Sequence, residues 1–106
     1  MKLNILERIV GIQVINEYQQ GNFITLKTID GLKKKLLVNE DEVKKYDLTI
    51  INDSYNWNPL GNTEFVDFDF TEGETKLIVD KLKELDQKNL LTNNHISLYD
   101  KFIPTV

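Results

Sequence analysis

The sequence predicts an α+β fold: an antiparallel sheet of about four or five strands, begun by an N-terminal meander and covered on one face by a C-terminal amphipathic helix, with a short helix near residues 40–46. Three observations predict it. Apolar and polar residues alternate in several stretches before residue 70. An Asp-Gly pair, the dipeptide suited to a two-residue hairpin loop, stands between two of those stretches. A capped, one-sided helical pattern then fills residues 70–91. The 106 residues correspond to one domain spanning 1–106, large enough for a core without staples.

In chain order, residues 3–18 are rich in β-branched side chains, and Val10, Ile12 and Val14 alternate with Gly11 and Gln13 as in a half-buried strand. Gln19-Gln20-Gly21-Asn22 reads as a hairpin loop. Residues 23–29 alternate again, Ile24 and Leu26 against Thr25 and Lys27. With Asp30 and Gly31 as a type I′ turn, Ile29 faces Leu32, Thr25 faces Leu36 and Phe23 faces Val38. That register sets Lys27 against Lys34, a small like-charge cost.

Asn39 is an N-cap with Glu42 three residues on, acids fill the first turn, and Lys44 and Lys45 sit in the last. Val43 and Tyr46 dock this short helix. Residues 48–51 form a fourth strand, and residues 52–63 a turn-rich loop holding Pro59 and Gly61. Residues 64–70 alternate once more, with Val66, Phe68 and Phe70 on one face and Phe65, Asp67 and Asp69 on the other. The next helix is the clearest element. Thr71 and Glu74 make a capping box, Thr75, Ile78, Leu82 and Leu85 form its apolar stripe with Leu77 beside them, and Glu72–Lys76 and Glu84–Lys88 are i,i+4 pairs. Residues 95–103 form a last strand or docked tail, stopped by Pro104.

Composition narrows the chemistry. With no cysteine there is no disulfide, thiolate zinc site or thiol nucleophile. A net charge of −4 opposes general nucleic-acid binding, and Arg8 is the only arginine, so no cluster of guanidinium forks exists. The first ten residues carry Lys2, Glu7 and Arg8, unlike a signal peptide, and no run approaches the ~18 apolar residues of a membrane span. The expectation is a cytoplasmic protein without a membrane segment, and its Lys, Ile and Asn usage resembles AT-rich bacterial or phage coding.

Four surfaces merit a functional reading, each beside a plainer one. Glu64, Asp67, Asp69, Glu72 and Glu74 cluster in sequence, joined by Asp53 if the loop folds back. On a strand, Asp67 and Asp69 project from one face ~6.6 Å apart, a spacing like that of successive phosphates, suited to a basic groove. The plainer reading is a solvated face plus helix-cap acids, and the segment matches no calcium loop. Tyr55 and Trp57 resemble interface anchors; alternatively Trp57 folds inward and plugs the sheet. Lys33-Lys34-Lys35 would meet phosphate or, more simply, guard a sheet edge. His95, the only histidine, has no nucleophile motif beside it and cannot complete a zinc set alone. The five glycines make no phosphate loop.

These features predict a non-enzymatic, acidic protein-binding module without a cofactor or metal. The expected role is inhibition of another protein by occlusion, of the toxin-immunity or anti-defence (anti-CRISPR-like) kind, through Tyr55, Trp57, Glu64, Asp67 and Asp69. The rival is a nucleic-acid-associated regulator using Lys33–Lys35, as a homodimer. An enzyme centred on His95 ranks last.

Overall fold

The computed structural model describes residues 1–104. Its core is a bundle of helices, and the expected meander of four or five strands is not formed. The elements run β1 (Lys2–Leu3), α1 (Ile5–Ile15), α2 (Phe23–Leu36), α3 (Glu40–Lys45), β2 (Thr49–Ile51), β3 (Ser54–Asn56), α4 (Leu60–Thr63), β4 (Val66–Asp67), α5 (Glu72–Gln87), a 3₁₀ turn (Asn93–His95) and α6 (Ile96–Phe102). Among the described residues the strands make only two antiparallel pairs, β1 with β4 and β2 with β3.

The first correction falls on residues 3–18, which hold α1. Asn4 accepts from the Glu7 N–H at 2.9 Å and the Glu7 carboxylate accepts from the Asn4 N–H at 2.9 Å, a capping box. The period-two alternation of Val10, Ile12 and Val14 is a by-product of two helical stripes. Ile5 and Ile9 join Tyr46 in a small cluster, while Val10, Val14 and Ile15 join the main one. A helix buried on most of its circumference has little amphipathic signal, so β-branched content dominates what the sequence displays.

The second correction falls on Asp30-Gly31. Both residues lie inside α2, capped by the Asn22 side chain accepting from Thr25 N–H at 2.8 Å. Ile29, Leu32 and Leu36 give it a buried stripe at three- and four-residue steps. The turn that does need positive φ at both central positions is Asn52-Asp53, with φ of 51° and 63°, between Ile51 and Ser54. Residues 48–51 thus do contribute a strand, but as half of an isolated hairpin.

Two further corrections concern the C-terminal half. Within residues 64–70 only Val66–Asp67 is strand, paired with Lys2–Leu3. Phe68 and Phe70 turn inward, stacked at 5.9 Å, with Phe70 5.6 Å from Phe102. Residues 95–103 are helical, because Leu98 and Phe102 sit four apart and both enter the core.

α3 forms as expected, with Asn39 and Glu42 closing its capping box. Tyr46 is buried but Val43 stays exposed. α5 also forms as expected, capped by Thr71 and Glu74, with Ile78, Leu82 and Leu85 buried. Glu84–Lys88 pairs at 2.8 Å, whereas Lys76 reaches forward to Asp80 at 2.6 Å instead of back to Glu72. The main cluster therefore joins α1, α2, α5 and α6 around Val14, Leu32, Leu36, Ile78, Leu82 and Leu98. No described helix is long and apolar enough to cross a membrane.

Candidate functional site

The buried charges are accounted for by structure. Three capping boxes, on α1, α3 and α5, each end in a glutamate that also holds a distant base. Glu7 takes Lys101 at 2.8 Å, Glu42 takes Arg8 at 2.6 Å, and Glu74 takes Lys35 at 2.6 Å. Arg8, fully buried, also donates to the Leu36 and Leu37 carbonyls at the end of α2 and lies 5.2 Å over the Phe68 ring. The Arg8 hydrogen bonds hold the Glu42 carboxyl below its usual range. Burial pushes Glu74 upward, but the hydrogen bonds from Lys35 and from the Thr71 backbone outweigh it, and its pKa is lowered. These charges tie helix ends together, and none faces a cleft.

Most of the acidic strip is also paired. Glu64 accepts from Lys45 at 2.8 Å and from the Tyr46 hydroxyl at 2.9 Å, and the Lys45 bond lowers its pKa. Asp67 takes the Met1 ammonium at 3.0 Å, which lowers its pKa too. Asp69 is exposed, and its backbone carbonyl accepts from Lys35. The period-two spacing assumed for Asp67 and Asp69 fails, because the strand ends at Asp67. Lys33–Lys35 lie in the last turn of α2, not on a sheet edge; Lys34 pairs with Asp30 at 3.0 Å and Lys35 with Glu74.

Trp57 is half-buried against the small cluster. Its indole N–H donates to Asn62 Oδ1 at 2.9 Å, and a Cβ on Gly61 would fall 2.5 Å from its ring. Tyr55 is different. It stands on β3 opposite Ile50, exposed, with its ring bordering two depressions.

Those depressions define the candidate site. One, of about 260 Å³, lies among Ile9, Ile12, Leu37, Val38, Leu48 and Ile50. A second, of about 250 Å³, borders Asp53, Ser54, Trp57 and Asn94, and shares Ile9, Gln13 and Tyr55 with the first. A third, of about 410 Å³, is bounded by Val14, Glu17, Leu85, Leu90 and His95, and again by Gln13. The exposed face of α1 is thus the floor of a concave surface centred on Gln13. The β2–β3 hairpin forms one wall, and the end of α5 with the 3₁₀ turn forms the other.

Among the described residues, Glu17 and Asp53 are the only charged side chains lining the three depressions, and neither Lys nor Arg lines them. Leu37 and Ile50, which line the first depression, are 65% and 64% exposed. His95 sits at its far end, with Nδ1 accepting the Thr92 N–H at 2.9 Å. Glu64, Asp67 and Asp69 do not line it. Among the described residues no three metal-ligating side chains gather.

Gln13, Leu37 and Ile50 were not singled out by the sequence reading. For Ile50 a usable signal was present: residues 48–63 carry one charged side chain, Asp53, in a chain that is 28% charged. No family model, curated protein or solved structure matches the chain.

Proposed function

We propose that this protein is a non-enzymatic binding module that occludes another protein, an inhibitor of the toxin-immunity or anti-defence kind, and that it docks through the concave surface around Gln13 and Tyr55. The observation that carries the reading is the exposed, almost uncharged hairpin beside that surface, with Ile50 and Tyr55 paired on the face that borders it. Interface centres are depleted in charge and enriched in aromatic residues, and an exposed apolar patch on a small domain marks an interaction site. The paired state of Glu64 and Asp67 moves the expected contact away from the acidic strip and leaves Tyr55 as its anchor. Trp57 acts as the support behind Tyr55.

The nucleic-acid alternative loses support, because Lys34 and Lys35 are both committed to carboxylates. The test is affinity capture from the source cells with the full chain, followed by binding kinetics on the recovered protein. Gln13→Arg should fold normally and weaken binding at least ~10-fold, since it drives a charge into the centre of the interface. Asp67→Asn should bind like the wild type. Full binding by Gln13→Arg would place the interface elsewhere.

A further inference from the structure

The hairpin wall of this surface has an unusual edge. Asn52 and Asp53 form a two-residue loop, so Ile51 and Ser54 are the hydrogen-bonded pair that closes it. Pairs alternate along an antiparallel ladder, which makes Ile50 and Tyr55 a non-bonded pair. The N–H and C=O of Ile50 therefore point away from β3, outward from the edge of β2. Natural sheets guard such an edge with lysine, proline or a bulge. Here β2 reads Thr-Ile-Ile, with none of these, and its two isoleucines are more than half exposed.

The groove below shares the edge's chemistry. Side chains on one face of a strand pair stay on that face across a third strand. A residue paired with Ile50 would thus project toward the groove lined by Ile9, Ile12, Leu37 and Val38. The opposite edge, along β3, borders the depression with Asp53, Ser54 and Asn94 and is more polar. The charges of the site have one sign. Glu17 and Asp53 sit at its margins, and α1 ends at Ile15 with no basic residue in its own last turn. Lys88, which feels Glu17, is itself bonded to Glu84.

We propose that the occupant is an extended segment of the partner protein, apolar at alternate positions and flanked by Lys or Arg, which adds as a third strand along β2 at Ile50. This rests on the docking reading above. Backbone hydrogen bonds to Ile50 supply the register, alternate side chains fill the groove, and the basic flanks answer Glu17 and Asp53. A second copy of this chain is the poorer fit, because it would bring the same acids to the same margins.

The probe is the peptide Lys-Lys-Val-Thr-Val-Thr-Val-Lys-Lys, titrated into the isotope-labelled full chain by NMR. Its controls are the same peptide with glutamate flanks and one N-methylated at alternate backbone nitrogens. The expected result is amide shifts at Ile50, Ile51, Leu37 and Val38. Affinity should be at least ~10-fold tighter than for the glutamate-flanked control at low salt, narrowing as salt rises. The N-methylated peptide should bind at least ~10-fold more weakly. Ile50→Pro, which removes an N–H that the hairpin itself does not use, should abolish binding while leaving circular dichroism unchanged. Equal binding by the N-methylated peptide, or no shifts at ~1 mM peptide, would overturn strand addition. Shifts at residues 49–51 that follow protein concentration without peptide would make a second copy the occupant and overturn it too. If strand addition fails while Gln13→Arg still loses the captured partner, the docking surface stands without this mode of recognition.

Discussion

Arg8 is the residue on which most depends. Its guanidinium donates to Leu36 O at 3.2 Å, to Leu37 O at 2.9 Å and to both Glu42 oxygens at 2.6 and 3.1 Å. One side chain thereby joins α1, the end of α2 and the start of α3. A lysine offers a point charge and cannot reproduce that fork. Arg8→Lys should cost about 2–4 kcal/mol in urea melts, because unpaired buried groups remain. Lys45→Ala, which breaks an exposed pair, should cost less than about 0.5 kcal/mol. The capping glutamates also set the acid response. Glu42 and Glu74 ionise below their ordinary value of 4.5 when folded, so their stabilisation is present above that pH and is lost as pH falls through the lowered folded values. Glu84, gripped by Lys81 and Lys88, is held at about 2 but is exposed, so its share is small. Thermal melts of the wild type should fall steeply below pH 4.5, and Glu42→Gln with Glu74→Gln should flatten that slope. An unchanged slope would mean the caps do not govern acid unfolding. Gly61 carries a packing constraint instead. Gly61→Ala puts a Cβ against Trp57, so it should cost about 1–3 kcal/mol and shift tryptophan emission to the red.

Among the elements, α5 was legible because cap, stripe and dipole all agree. Leu82 is fully buried in the main cluster, so Leu82→Ala should cost about 2–5 kcal/mol, against less than about 0.5 kcal/mol for exposed Lys83→Ala. Equivalent urea midpoints would mean α5 is not docked by this face. α3 was legible for the same reason, through Asn39 and Glu42. α1 was not, although Asn4 and Glu7 spell the same cap as Asn39 and Glu42. Its burial on several sides spread isoleucine and valine around the helix and imitated a strand. α2 was hidden by Asp30-Gly31, whose turn preference is local and weak beside the burial of Ile29, Leu32 and Leu36. Tertiary packing overrides such preferences routinely. The candidate site was half legible: Tyr55 could be read from its polar, aromatic loop. Ile50 was signalled only by the scarcity of charge in residues 48–63, and Gln13 not at all, because only the fold brings α1 beside the hairpin.

At the scale of the molecule, the helical core and the hairpin are separable. The main cluster is built by β1, α1, α2, α5 and α6, with Phe68 and Phe70 against it, and the small one by Ile5, Ile9 and Tyr46 with Val38, Leu48 and Trp57. Every residue of β2 and β3 is exposed, and none belongs to either cluster. A two-stranded hairpin is marginal by itself, so this one is held mainly by its ends, where Leu48 N–H donates to Val43 O at 3.0 Å and Asn58 N–H to Tyr46 O at 2.8 Å. Thr49 and Asn56 are cross-strand partners, already close enough for a short linker to join them. Replacing the hairpin between Leu48 and Trp57 by Gly-Ser-Gly should therefore cost less than about 1 kcal/mol and leave the helical circular dichroism intact. In the intact protein, amides at 49–56 should exchange by local opening, far faster than those of α1 and α5. The same deletion should remove partner binding altogether, because it takes away Ile50 and Tyr55 together. Stability retained with binding lost is the pattern of a core that carries a recognition element. A deletion that unfolds the chain would show the hairpin to be part of the fold. One that binds normally would remove it from the interface.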